Sequence, residues 1–163
     1  MKRLTLLRHA QADNPVSDQE DWDRPLTRRG ERDAGEMARR MKALRLRPVL
    51  ILSSPAIRAR QTAEAFSKGF HNAQLQLVDE LYLPSPRQLL TTIHELGGSA
   101  KHLLVVAHNP GIAEFADQLS QDRRVDGMPT GATVTAEFDL ENWQDLQPGT
   151  GINVEFDCPQ RSA

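Results

Sequence analysis

The sequence has one cysteine, Cys158, in 163 residues, so it forms no intramolecular disulfide and reads as a protein of a reducing compartment. An excess of either charge is also missing: 20 Lys and Arg stand against 22 Asp and Glu, a net charge of -2. That balance gives no long-range attraction for nucleic acid or an acidic membrane surface, so any basicity that binds an anion has to be local. Long apolar runs are absent too. The opening "MKRLTLLRHA" is interrupted by Thr5 and ended by Arg8, which fits neither a signal peptide nor a membrane span. The expectation is a cytoplasmic protein with no nucleic-acid or membrane partner. Repeats, low-complexity tracts and linkers are not found, and the length suits a single domain over residues 1–163 with a core that needs neither disulfide nor metal.

What is present is a set of short apolar runs. "LTLL" at 4–7, "VLIL" at 49–52 and "LLVVA" at 103–107 lack polar alternation, as strands buried on both faces do. Weaker strands are expected at "LQLV" 75–78, "TVTAEFDL" 133–140 and "INVEF" 152–156, the last two as an edge hairpin with one exposed face. Helical patterns lie between them. Ala34, Met37, Ala38, Met41 and Leu44 share one face of a helix starting near Thr27. "SSPAIRARQTAEAF" predicts a second, capped by Ser54, with Ala56, Ala59, Ala63 and Phe66 inward. "SPRQLLTTIHEL" opens on Ser85 and Pro86, turns Leu89, Leu90, Ile93 and Leu96 inward and stops at Gly97 and Gly98, and "NPGIAEFADQL" repeats the opening with Asn109 and Pro110. Strands alternating with helices predict an α/β fold, a three-layer sandwich with a mainly parallel central sheet flanked by helices.

Chemistry gathers where these runs end. Arg8 and His9 follow the first, Ser53 and Ser54 the second with Arg58 a turn into its helix, and His108 follows the third. In an open parallel sheet the carboxyl ends of the strands form the ligand-binding rim, so these groups converge. Two arginines and two helix N-termini at Ser54 and Asn109 suit phosphoryl oxygens. A neutral imidazole beside them is able to attack phosphorus and form a phosphohistidine that water then hydrolyses. The arginines lower the attacking histidine's pKa and stabilise transferred charge; losing one such donor typically costs roughly 10²–10³ in rate.

These residues resemble the histidine phosphatase superfamily, which includes phosphoglycerate mutases and acid phosphatases. "LLRHAQA" looks like its nucleophile motif, "SSPAIRARQTAE" like its S-P-x-x-R-x-x-Q-T segment, "VVAHNPGI" like the segment of the second histidine, and "DRPLTRRGERDA" like its L-T-x-x-G helix start. The resemblance spans residues 4 to about 116 in order. It implies a phosphoglycerate mutase-like fold, His9 as nucleophile, Arg8 and Arg58 as phosphoryl ligands and His108 as a further stabiliser. Short length, Ala10 in place of the usual Gly and "DRPLT" resemble the SixA branch of protein phosphohistidine phosphatases. That branch implies a phosphorylated protein, such as a histidine phosphotransfer domain, as partner. "VDELYLPSP" offers Glu80 as a proton donor, worth roughly 10²–10⁴ in rate for an ester but less for phosphohistidine, whose imidazole leaves more readily.

Two rival functions remain at this point: hydrolysis of a small phosphomonoester by the same residues, and a non-catalytic module that binds a phosphorylated partner. No cofactor is expected, and no metal site, because Arg8 and Arg58 repel a cation and no Cys or paired carboxylate joins the histidines. His71, His94 and His102 read as solvated, and the cluster Asp18, Glu20, Asp21 and Asp23 as a solvated loop. Arg24, Arg28, Arg29 and Arg60 read by default as surface charges, Arg24 being the one whose place in "DWDRPLT" would let it border the pocket, with Gly30 as a helix-packing position and Gln61 and Thr62 as structural support.

Overall fold

Side chains alternate across the central strands, and that alternation builds two cores. In the computed structural model, which describes residues 1–71 and 73–162, Leu4, Leu6, Leu103 and Val105 face one side while Leu7, Leu104 and Val106 face the other. The strands are β1 (Lys2–Arg8), β2 (Leu50–Ser53), β3 (Gln74–Leu77), β4 (His102–Ala107), β5 (Thr133–Phe138) and β6 (Ile152–Asp157), in the spatial order β3-β2-β4-β1-β5-β6. β3, β2, β4 and β1 pair in parallel, and β5 runs antiparallel between β1 and β6.

Four helices cover the sheet: α1 (Arg28–Ala43), α2 (Ile57–Gly69), α3 (Pro86–Leu96) and α4 (Gly111–Gln118). The chain moves from β1 outward to β2 and β3, then back to β4, so right-handed crossovers put α1 and α2 on one face and α3 on the other. Their apolar stripes agree. Met37 and Met41 of α1 and Ala59, Ala63 and Phe66 of α2 pack on Leu7, Ile51, Leu104 and Val106, while Leu89 and Ile93 of α3 and Ile112 and Phe115 of α4 pack on Leu4, Leu6 and Val105. The result is the three-layer α/β sandwich expected. No helix among the described residues is long and apolar enough to cross a membrane.

Several local expectations shift. Thr27 caps α1 as predicted, accepting from Gly30 N at 3.0 Å, but Leu44 lies past the helix end and is 69% exposed. α2 starts at Ile57 rather than at Pro55, although the Ser54 hydroxyl does accept from Ala56 N at 3.2 Å. Ser85 and Gln88 form a reciprocal capping box on α3. Asn109 does not cap α4; its amide donates to Met128 O at 2.9 Å. β5 and β6 do pair at the sheet's margin, yet β5 is interior and nearly all buried, since β6 takes the outer position.

Candidate active site

Register brings the chemistry to one edge. Arg8 is paired with Ala107 and Ser53 with Val106, so the carboxyl ends of β2, β4 and β1, three neighbours in the sheet, finish level with one another. The next residues are Ser54, His108 and His9. The rings of His9 and His108 stand 5.1 Å apart between centroids.

His9 is 7% exposed. Its Nδ1 lies 2.8 Å from the carbonyl oxygen of Ala10. A carbonyl only accepts, so Nδ1 carries the proton and Nε2 keeps its lone pair. Burial pulls the pKa of this imidazole from 6.5 to about 4; Arg58, Arg8 and Arg24 push the same way, against the hydrogen bond to Ala10. Neutral His9 is therefore the dominant form at pH 7. Ala10 is held in turn: its N–H donates to Thr62 Oγ1 at 3.0 Å, and Thr62 donates to Arg58 O at 2.7 Å. Its Cβ sits among Leu26 and Ala34.

His108 is buried, with Nε2 2.7 Å from Ser54 Oγ. The Ser54 hydroxyl also accepts from Ala56 N at 3.2 Å. Burial, then the neighbouring His9 and Arg58, lower this pKa to about 3. Arg8 donates through Nη1 to Met128 O at 3.0 Å. Arg58, 2% exposed, donates through Nη1 to Asp21 O at 2.7 Å and through Nη2 to Asp21 Oδ2 at 2.9 Å. Arg8 Nε, Arg58 Nε and His108 Nδ1 are all buried without a protein partner. Unpaired buried polar groups are costly, and two guanidiniums whose charge reaches His9 suit an oxyanion bound beside it. Positive charge also fits such a group and repels a cation; among the described residues no cluster of three or more His, Cys, Asp or Glu is arranged to hold a metal.

Of the residues expected at the site, Arg8, His9, Arg58 and His108 come together. Glu80 stands apart. It is exposed in a short 3-10 turn and lines a cavity of about 440 Å³ against α3, with Ser85, Gln88 and Thr92, which none of those four borders. Arg24 does border the site: its Nε donates to Asp21 Oδ1 at 2.9 Å and its charge reaches His9. Gln61 supports the loop before α1, its Oε1 accepting from Leu26 N at 2.8 Å.

Two further residues join that the sequence did not mark. Asp21 pairs with Arg58, as above, from a loop that is exposed as expected. Tyr82 donates its hydroxyl to Asp21 Oδ2 at 2.6 Å and sets its ring edge-on to His108 at 5.4 Å, with Trp22 4.9 Å away on its other side. The hydrogen bond from Tyr82, with those from Arg58 and Arg24, outweighs partial burial and holds the Asp21 carboxyl down at about 2. Elsewhere, His102 is buried and not solvated: its Nε2 is 2.8 Å from Thr5 Oγ1. His94 is half-buried against Leu146 O at 2.8 Å, and His71 is exposed as expected.

The sequence profile of the histidine phosphatase superfamily (branch 1) matches residues 4–82. An uncharacterized chloroplastic protein of Arabidopsis thaliana is 33% identical over 129 residues, covering 73% of this chain and 59% of that protein, so the chain spans less than two thirds of this relative. The crystal structure of the putative phosphohistidine phosphatase SixA from Agrobacterium tumefaciens is similar with a TM-score of 0.77 at 30% identity, covering 84% of this chain and 92% of that one. That of the putative phosphohistidine phosphatase SixA from Nakamurella multipartitia has a TM-score of 0.81 at 27% identity, covering 94% and 95%. The sheet and its four helices are the phosphoglycerate mutase-like fold of these phosphatases.

Proposed function

We propose, for a chain that belongs to the histidine phosphatase superfamily, that this phosphatase hydrolyses the phosphoryl group of phosphohistidine in a protein, through a covalent intermediate on His9 and without a metal. The observation that carries the reading is the state of His9: Nδ1 donates to Ala10, Nε2 is unprotonated, and buried guanidinium donors without partners stand beside it.

The His9 Nε2 lone pair attacks phosphorus while the bond from phosphorus to the leaving imidazole breaks, its electron pair staying on that nitrogen, which takes up a proton from solvent water. Water then attacks phosphorus on Nε2, releasing inorganic phosphate and returning His9 to its neutral form. Arg8, Arg58 and His108 bind the phosphoryl oxygens, where charge builds in transfer. The arginines are fixed before the substrate arrives, so no metal is needed for this charge. The two putative phosphohistidine phosphatase structures at 30% and 27% identity support the same substrate class, and a histidine phosphotransfer domain is the kind of partner it implies.

A substrate panel tests this. A phosphohistidine-bearing phosphotransfer domain is expected to give the highest kcat/KM, above sugar and nucleotide phosphates, with activity retained in a chelator. Glu80→Gln is expected to leave phosphohistidine turnover within about threefold, well short of the usual contribution of an acid catalyst. Preference for an ester, with a strong Glu80→Gln loss on it, would make the protein a small-molecule phosphomonoesterase instead.

A further inference from the structure

Arg58 has a long side chain that loses rotamer freedom when fixed, and the way it is fixed is specific. One residue takes the far edge of its guanidinium. Nη1 donates to the backbone oxygen of Asp21 at 2.7 Å and Nη2 to its carboxylate at 2.9 Å, while Nε is left buried with no partner. Asp21 is anchored in its turn. Tyr82 donates to the same carboxylate oxygen at 2.6 Å, and Arg24 Nε to the other at 2.9 Å. Arg24 Nη1 also donates to Asp13 O at 2.9 Å, tying the loop that carries Asp21 back to the chain just after His9.

We propose that Asp21 is a positioning residue for phosphoryl transfer: with Tyr82 and Arg24 bracing it, it grips the guanidinium of Arg58 and holds it in place for the phosphoryl group. This rests on Arg58 being a phosphoryl ligand. A carboxylate beside a phosphate-binding arginine has an opposite possible role, that of a competitor which the phosphoryl group must displace. The geometry points to positioning on three grounds. Half of the grip is a backbone carbonyl, which exerts only weak repulsion on an anion. The carboxylate is itself braced by two other side chains. One edge of the guanidinium remains unclaimed.

The two roles move phosphate affinity in opposite directions. Inorganic phosphate serves as the probe, through its inhibition constant, together with kcat and KM on whichever substrate the wild type turns over. With Asp21→Ala, positioning predicts phosphate inhibition weakened roughly tenfold and kcat lowered by roughly 10–10², since a preorganised donor is lost. Asp21→Asn keeps the side-chain acceptor and the backbone grip, and is expected to return both to within about threefold of wild type. Tighter phosphate inhibition or unchanged constants in Asp21→Ala would overturn the proposal, as would an Asp21→Asn variant as impaired as Asp21→Ala. Phosphate reports on the anion site whatever the substrate is. A wild type inactive on phosphohistidine, with the phosphate response as described, therefore rejects the substrate reading and leaves the role of Asp21 standing.

Discussion

A histidine nucleophile works only when unprotonated, and at His9 burial does most of what is required. Its pKa of about 4, and that of about 3 at His108, leave both rings neutral through the physiological range. Followed by NMR, the ring protons of His9 are expected to titrate with a midpoint near 4; a midpoint at 6 to 7 would mean that burial and the arginines do not set its state. At this scale the four central residues were legible because each ends or follows a short apolar run: Arg8 and His9 after "LTLL", His108 after "LLVVA", Arg58 one turn beyond "VLIL". Asp21 and Tyr82 were not. They are 61 residues apart, and an acidic residue among Asp18, Glu20 and Asp23 looks solvated until a buried arginine is found against it. His102 was misread for a related reason: nothing local announces that Thr5 of the neighbouring strand accepts or donates at its ring.

Elements are locked to the site by close backbone approach. A Cβ on Gly30 would lie 2.1 Å from Gln11 O, so only glycine lets the first turn of α1 rest on the loop that follows His9. Gly111 plays the same part at the start of α4, where a Cβ would meet Pro84 O at 1.8 Å. Gly30→Ala is expected to cost about 1–3 kcal/mol, a drop of several degrees in Tm, and to lower kcat because the loop carrying Ala10 and Gln11 must move. An unchanged Tm would show that α1 and this loop are not tightly coupled. Helix starts with their own chemistry, Thr27 and Ser85, were legible. The start of α2 was displaced because the Ser54 hydroxyl serves His108 as well as Ala56 N, a demand from another strand. The alternation in β5 suggested an exposed face, yet cover from β1 and β6 on its two edges and from Phe138 and Trp143 packing makes it interior.

Across the whole molecule, three buried neutral histidines, His9, His102 and His108, link stability to pH. Their folded pKa values of about 4, 4 and 3 lie below the ordinary 6.5. Between those values the unfolded chain binds more protons, so stability rises with pH through the window from about 4 to 6.5 and is lost as pH falls through it. Each group is expected to contribute about 1–2 kcal/mol to the difference between pH 7 and pH 5. A urea midpoint that falls over this range, with a shallower fall in His102→Asn, is the expected result; equal midpoints at the two pH values would contradict it. The sheet order that buries His9 and His108 also sets their rings side by side, and the proposed reaction comes down to one bond between Nε2 of His9 and phosphorus. Rapid quenching during turnover, followed by mapping of an acid-labile, base-stable phosphoryl group, tests it most directly. The account predicts that group on His9, and its loss along with activity in His9→Ala. An active enzyme that carries no phosphoryl group on His9, or an active His9→Ala variant, would contradict it.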